Sequence, residues 1–284
     1  MSWKDVESKS AFQWSHTKLS MLRRCPLQYE KRYVEGKRTP PNFNLHLGSS
    51  VHAGIASNYK HKFLKKKPDT LSATKDAFSQ YFEDNKSKEL MWEGQRPGTI
   101  KDVGYSMVEA HYKNLAPKLE PVKEPELKLE FSLKGMKRGF VAYLDVVGNI
   151  GKRLTVIDNK TTTRSWNQWQ IDIDSQLTTY AMAWANETKK MPDMVGIDAL
   201  VWNKKTSKMI QKDAAQRLIS FRTKKHLERF ATNATKLEKL VDAGIFYPTD
   251  DPRTCMSCGY RKICHYDATK RLESKKYTPD SGIK

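Results

Sequence analysis

The chain has 284 residues, 38% hydrophobic and 29% charged, enough for one large domain or two small ones with a substantial core. No apolar run approaches the roughly 20 residues that span a bilayer, and MSWKDVESKSAFQW lacks a signal-peptide core, so a cytoplasmic, non-membrane protein is expected. Lys and Arg total 51 against 32 Asp and Glu, and the net charge of +19 calls for a polyanion such as nucleic acid, or else merely solubilises the surface.

In chain order, residues 15–34 read as helical at both ends, with Pro26 opening a new turn after Cys25. Residues 36–44, GKRTPPNFN, read as a loop. A helix is expected from near Gly48, with Leu47, Val51, Ile55, Tyr59 and Phe63 spaced by four and His52 beside that stripe. The lysines of 60–67 form either a solvated helix end or a phosphate-contacting patch. Helical spacing continues over 71–91 and 102–115, so residues 15–115 are expected to be a helical N-terminal part.

The period changes at Glu126. Leu127, Leu129, Phe131 and Leu133 alternate with Glu126, Lys128 and Glu130, as in a strand with one buried face. GFVAYLDVVGNI and LTVIDNK follow, and short turns predict an antiparallel meander of three strands. In the third strand Asp158 and Lys160 share a face and Asn159 opposes them. Asp145 ends the second strand, where a hairpin return would bring it beside Asp158 as a pair of hard oxygen ligands for Mg²⁺ or Mn²⁺.

Residues 161–174 are polar but carry Trp166 and Trp169 next to Arg164. These three are candidates for contact with unpaired bases, and the tryptophans are equally candidates for the core. A helix over 175–189 places Gln176 and Tyr180 on one face. A fourth strand is expected at 196–202, a short fifth at 208–212, and a long helix over 219–243. Taken singly, His52 fits a hydrogen-bonded core histidine, Asp145 a turn cap, and Gln176 and Tyr180 the polar ends of a packed helix face.

The four cysteines are Cys25, Cys255, Cys258 and Cys264. Disulfides are not expected in a reducing cytoplasm, whereas the two-residue gap between Cys255 and Cys258 lets both thiolates face one metal. Cys25 is the only cysteine left as a fourth ligand, which closes the two chain ends on one centre.

Gly48-x-x-x-His52, Tyr143-Leu144-Asp145, Ile157-Asp158-Asn159-Lys160-Thr161 and Gln176-x-x-x-Tyr180 together resemble the RecB-like branch of the PD-(D/E)XK nuclease superfamily. Cys25-Pro26 with the C-terminal cysteines resembles its iron–sulfur members: CRISPR-associated RecB-type exonucleases, nuclease domains of recombination helicases, and phage relatives. The resemblance covers about residues 15–267. It implies an α/β fold with a restriction-endonuclease-like core and mixed central sheet (126–212), a helical N-terminal part, and a cysteine-cluster segment (213–284) closing on Cys25, together one nuclease domain over 1–284.

The resemblance also implies roles. His52, Asp145, Asp158 and the backbone carbonyl of Asn159 would bind Mn²⁺ or Mg²⁺, with a histidine ligand favouring Mn²⁺. Lys160 would orient the attacking water, and Gln176 and Tyr180 would position the water, the lysine or the phosphate. Glu130 matches loosely as an acid near a second metal. Cys25, Cys255, Cys258 and Cys264 would hold a [4Fe-4S] cluster, with structural Zn²⁺ as the alternative. The implied activity is metal-dependent exonuclease cleavage of DNA, on single strands or ends, in recombination, repair or phage DNA processing, with a recombination or helicase partner left open. The rivals are an endonuclease of the same fold and a catalytically silent DNA-binding protein.

Overall fold

The structure, a computed structural model, describes residues 13–210 and 214–264. These residues fall into two compact units, one of residues 17–39 and 237–264, the other of residues 13–16 and 40–236.

The N-terminal part is helical. α1 (His16–Arg24) gives way at Cys25 to the short α2 (Pro26–Tyr29), with proline at its first position where no N–H is needed, and a π-helical turn follows over Glu30–Val34. α3 (Phe43–Lys65) starts earlier than the apolar spacing indicates, because Asn42 caps it by accepting the Leu45 N–H at 3.0 Å. Its stripe of Leu47, Val51, Ile55 and Tyr59 is buried, each such side chain contributing about 1.5–3 kcal/mol. α4 (Leu71–Asp84), capped by Thr70, and α5 (Pro97–Asn114), opened by Pro97, pack against it through Phe78, Phe82, Val103 and Met107.

The lysine run is split by the helix it sits on. Lys62 turns inward and donates to the carbonyls of Ala116 and Leu119 at 3.2 and 2.8 Å, with Glu120 at 2.7 Å. Lys60, by contrast, stays exposed and pairs with Glu124 at 2.6 Å.

Eight strands follow among the described residues: β1 (Glu120–Pro121), β2 (Leu127–Phe131), β3 (Phe140–Leu144), β4 (Val146–Ile150), β5 (Arg153–Thr162), β6 (Met194–Asn203), β7 (Lys208–Met209) and β8 (Ala215–Ser220). Six of them form the central sheet in the order β1-β4-β5-β6-β7, with β8 also pairing with β6. Only β5 and β6 run parallel, so the sheet is mixed. The expected mixed α/β fold with a helical N-terminal region is the observed one.

The three-stranded meander is not. The second predicted strand breaks at Asp145: β3 pairs with β2 in a separate two-stranded sheet, and β4 pairs with β5 in the central one. Alternation within one strand carries no sign of this change of partner. The hairpin joining β4 to β5 turns at Gly151, whose φ of +61° suits glycine. β1 and β8 were not expected either; β8 occupies the start of the segment read as a long helix, so α8 begins only at Lys224 (Lys224–Asp242). The expected fifth strand is reduced to Lys208–Met209, and 211–213 lie outside the described residues.

Between β5 and β6 come α6 (Gln168–Ile173) and α7 (Ser175–Thr188). α6 lies in the segment read as irregular. It is held by a capping box, in which Asn167 accepts the Gln170 N–H and the Gln170 side chain accepts the Asn167 N–H. Asp174 caps α7 by accepting the Leu177 N–H at 2.8 Å. In the smaller unit, α9 (Pro252–Met256) is capped by Asp251 and leads to a 3₁₀ turn at Arg261–Ile263.

Candidate active site

β5 supplies two side chains to one face. Asp158 is buried, and Lys160 reaches back so that its Nζ lies 2.8 Å from Asp158 Oδ2. α7 packs over this face and presents Gln176 and Tyr180, one helical turn apart. Gln176 Nε2 donates to Asp158 Oδ1 at 2.9 Å and to the Tyr180 hydroxyl at 2.8 Å, while its Oε1 accepts from Lys160 Nζ at 2.8 Å. The Tyr180 hydroxyl donates to Asp158 Oδ1 at 3.0 Å. Two side chains of β5 and two of α7 thus form a closed polar ring, while Asp158 Oδ2 has no hydrogen-bond donor beyond its ion pair with Lys160.

Asp145 stands at the break between β3 and β4. Its Oδ2 accepts the Asn159 backbone N–H at 2.7 Å and lies 3.4 Å from His52 Nδ1. His52 reaches it from α3. That helix comes close to β5 at Gly48, where a Cβ would stand 3.1 Å from Thr161 Oγ1.

The electrostatics follow from burial and crowding. Burial and the Asp158 charge push the Asp145 carboxyl up to about 6, against the pull of His52, the Asn159 N–H and Lys160. Burial works against a charged Lys160, yet Asp158, Asp145 and Asp174 hold its pKa above the usual lysine value. Burial and the two carboxylates raise the Tyr180 hydroxyl, so it remains a donor.

Of these groups, His52 and Lys160 border an open cleft of about 1050 Å³. His52, Asn159, Lys160 and Thr161 line it together with Lys60, Glu124 and Glu126. Glu130 does not line it: strand alternation leaves it on the exposed face of β2, ion-paired with Lys128 at 2.6 Å. The acids the cleft does contain, Glu124 and Glu126, come from the β1–β2 connection; Glu126 opens the alternating run, but that pattern marks a strand and not a residue facing the cleft.

Among the described residues, no three His, Cys, Asp or Glu side chains are already drawn together tightly enough to hold a metal. The donors nevertheless suit a hard divalent cation. The buried Asp158 carboxylate stands near Asp145 and raises its carboxyl, an imidazole adjoins Asp145, and Asp158 Oδ2 has only a lysine for company.

Trp169 sits on α6 with 69% of its surface exposed, Arg164 is exposed, and Trp166 is half-buried. In the smaller unit, Cys25, Cys255, Cys258 and Cys264 line one cavity of about 30 Å³, and none forms a disulfide. Burial raises the Cys258 thiol, and Cys25 and Cys264 add to that. Gln28 Nε2 donates to Cys258 Sγ at 3.6 Å. A set of four soft sulfur donors around one space suits zinc or an iron–sulfur cluster.

Residues 13–265 match the family model described as the PD-(D/E)XK nuclease superfamily. No curated protein matches the chain. Among solved structures, a protein from Eubacterium rectale provisionally assigned as an exonuclease is 9% identical, with a TM-score of 0.49 over 96% of this chain and 93% of its own. The protein SSO0001 is 14% identical, with a TM-score of 0.35 over 86% of this chain and 96% of its own. No helix among the described residues is long and apolar enough to cross a membrane.

Proposed function

The chain belongs to the PD-(D/E)XK nuclease superfamily, and from that membership we propose that it is a divalent-metal-dependent DNA exonuclease of the RecB-like branch. The strongest support is the placing of Lys160 Nζ, 2.8 Å from both Asp158 Oδ2 and Gln176 Oε1 on the border of an open cleft. The order of the motifs supports the branch and the exonuclease activity.

His52, Asp145, Asp158 and the Asn159 carbonyl would hold the ion, Mn²⁺ or Mg²⁺, which are the usual metals of the superfamily. Such an ion, when bound, acidifies a water and neutralises charge building on the phosphoryl group. Lys160, kept charged by Asp158, adds a point charge near the reacting phosphate without occupying a metal position. Gln176 keeps the ammonium from swinging away, and Tyr180 holds one Asp158 oxygen in place. Arg164, Trp166 and Trp169 contact the DNA strand.

The same proposal takes residues 1–284 as one nuclease domain and places a [4Fe-4S] cluster on Cys25, Cys255, Cys258 and Cys264, with structural Zn²⁺ as the alternative. It assigns a cytoplasmic role in recombination, repair or phage DNA processing and leaves a recombination or helicase partner open. The test is cleavage of end-labelled linear single-stranded DNA by anaerobically purified protein with Mn²⁺, beside Asp158→Ala and Lys160→Ala. Progressive loss from one end by the wild type alone is expected. Nicking of closed circles would show an endonuclease, and DNA binding without cleavage in either Mn²⁺ or Mg²⁺ would overturn the enzymatic reading.

A further inference from the structure

Arg222 lies just beyond β8, outside every motif read from the sequence, and only 8% of its surface is exposed. A guanidinium has five N–H donors in a fixed fork, and here all five find acceptors. Nε donates to Thr178 Oγ1 at 2.9 Å. One terminal nitrogen, Nη1, donates to Ser220 Oγ and the Phe221 carbonyl at 2.8 and 3.0 Å. The other, Nη2, donates to the carbonyls of Ile171 and Asp174 at 2.8 and 3.0 Å.

Three of these acceptors define one corner of the fold. Ile171 lies in α6, Asp174 is the cap of α7, and Thr178 is on the first turn of α7. Gln176 lies between Asp174 and Thr178. Residues two apart on a helix are turned by about 200°, so the turn gripped by Arg222 from behind carries Gln176 on its front. Gln176 in turn holds both Lys160 and Asp158.

We propose that Arg222 is a positioning residue, fixing the first turn of α7 so that the Gln176 carboxamide meets Lys160 and Asp158 together. No carboxylate is among the hydrogen-bond partners of Arg222: its direct partners are carbonyl and hydroxyl groups, and Asp174 and Asp172 act on its charge only through space. That is a costly arrangement where only packing is needed. Its advantage is directional: the planar fork fixes two helices and a strand exit at once, which the point charge of a lysine does not do. A second set of bonds keeps α6 in the same frame, with Asp172 Oδ1 accepting from Ser220 Oγ at 2.7 Å and from Gln168 Nε2 at 2.8 Å.

The inference rests on the proposed role of Gln176, and a double-mutant cycle separates the two. Kinetics in Mn²⁺ are compared for wild type, Arg222→Lys, Gln176→Ala and the double variant, with thermal melting of each. Arg222→Lys is expected to lower kcat on the order of tenfold to a hundredfold, while metal-free binding of a single-stranded oligonucleotide is unchanged. In the Gln176→Ala background the same change should lower kcat little further, because its route to the site is already gone, whereas any loss in Tm persists in both backgrounds. Thr178→Ala removes one acceptor and serves the same cycle if Arg222→Lys does not fold.

The Gln176 side-chain amide resonance, identified by its loss in Gln176→Ala, supplies a readout that needs no activity. It should shift in Arg222→Lys, or in Thr178→Ala, and not in the exposed control Lys128→Gln. An unshifted resonance, wild-type kcat in folded Arg222→Lys, or fully additive losses would overturn the proposal. Wild-type kcat in Gln176→Ala would instead overturn the role of Gln176 itself.

Discussion

Asp145 Oδ2 accepts the backbone N–H of Asn159 at 2.7 Å. A side chain standing where one strand changes sheets thus fastens the backbone of the next strand between its acid and its lysine. Asp145 therefore has two separable duties, one by its charge and one as a hydrogen-bond acceptor. Asp145→Asn keeps an acceptor and should keep the wild-type Tm while losing cleavage. Asp145→Ala should lose both, with about 1–3 kcal/mol of stability gone because a buried N–H is left unmet. Melting curves of the two variants beside their cleavage rates distinguish the duties.

The polar ring predicts graded effects on catalysis. Lys160→Ala removes the point charge and should cost on the order of 10²–10³ in kcat, with oligonucleotide affinity retained. Tyr180→Phe should cost less, since Gln176 still donates to the same Asp158 oxygen at 2.9 Å. Single-turnover cleavage of a labelled strand measures both, and a Tyr180→Phe loss as large as that of Lys160→Ala would contradict the ranking.

A second buried pair sits on β6 and β8. Arg217 holds Asp198 through two bonds of 2.7 and 2.6 Å, with His111 Nε2 at 3.4 Å. Burial alone would raise the Asp198 carboxyl, but Arg217 and His111 hold it below its ordinary 3.8. A depressed carboxylate adds stability above its unfolded value and loses it as pH falls through the folded one. The pair's contribution should therefore be complete at neutral pH and begin to be lost as pH falls below about 4, toward the depressed folded value. At pH 7, Asp198→Ala should cost about 3–5 kcal/mol by leaving Arg217 buried without its partner. Urea unfolding of the two proteins at pH 7 and at pH 3 tests both statements, since their difference should shrink in acid.

Trp169 is the better placed of the two candidate stacking residues, being exposed on α6 while Trp166 is half-buried. Trp169→Ala should weaken single-strand binding by about 1–3 kcal/mol with no change in Tm. Trp166→Ala should weaken binding less and lower Tm as well. Fluorescence anisotropy with a labelled oligonucleotide, read beside melting, separates the roles.

The four cysteines lining one cavity predict a coloured protein when it is purified without oxygen. Cys25→Ser should bleach the visible absorbance and lower Tm, because a ligand joining two distant chain segments is lost. Metal analysis distinguishes iron from zinc: a colourless protein with one zinc per chain would replace the cluster by the structural site.

Much of the fold is legible in local pattern. The stripe from Leu47 to Tyr59 announces α3, the alternation from Leu127 to Phe131 announces β2, and Asp158 and Lys160 two apart on a strand must share a face. The capping box of Asn167 and Gln170 was also there to be read and marks the start of α6. Periodicity sees side chains that face one way, but it does not see what they face. The break at Asp145, the pairing of β1 with β4 and of β8 with β6, and the inward turn of Lys62 all depend on partners that local periodicity does not identify.

The same division runs through the site. The amino-acid sequence by itself determined which groups are available, two carboxylates, an imidazole, a lysine and four thiols, because their identity and spacing are local properties. Only the tertiary structure decided that Lys160 meets Gln176, that Asp145 meets the Asn159 N–H, and that Arg222 stands behind α7. Hydrogen bonds act over about 3 Å and bind whichever groups the packing of sheet and helix brings within that distance.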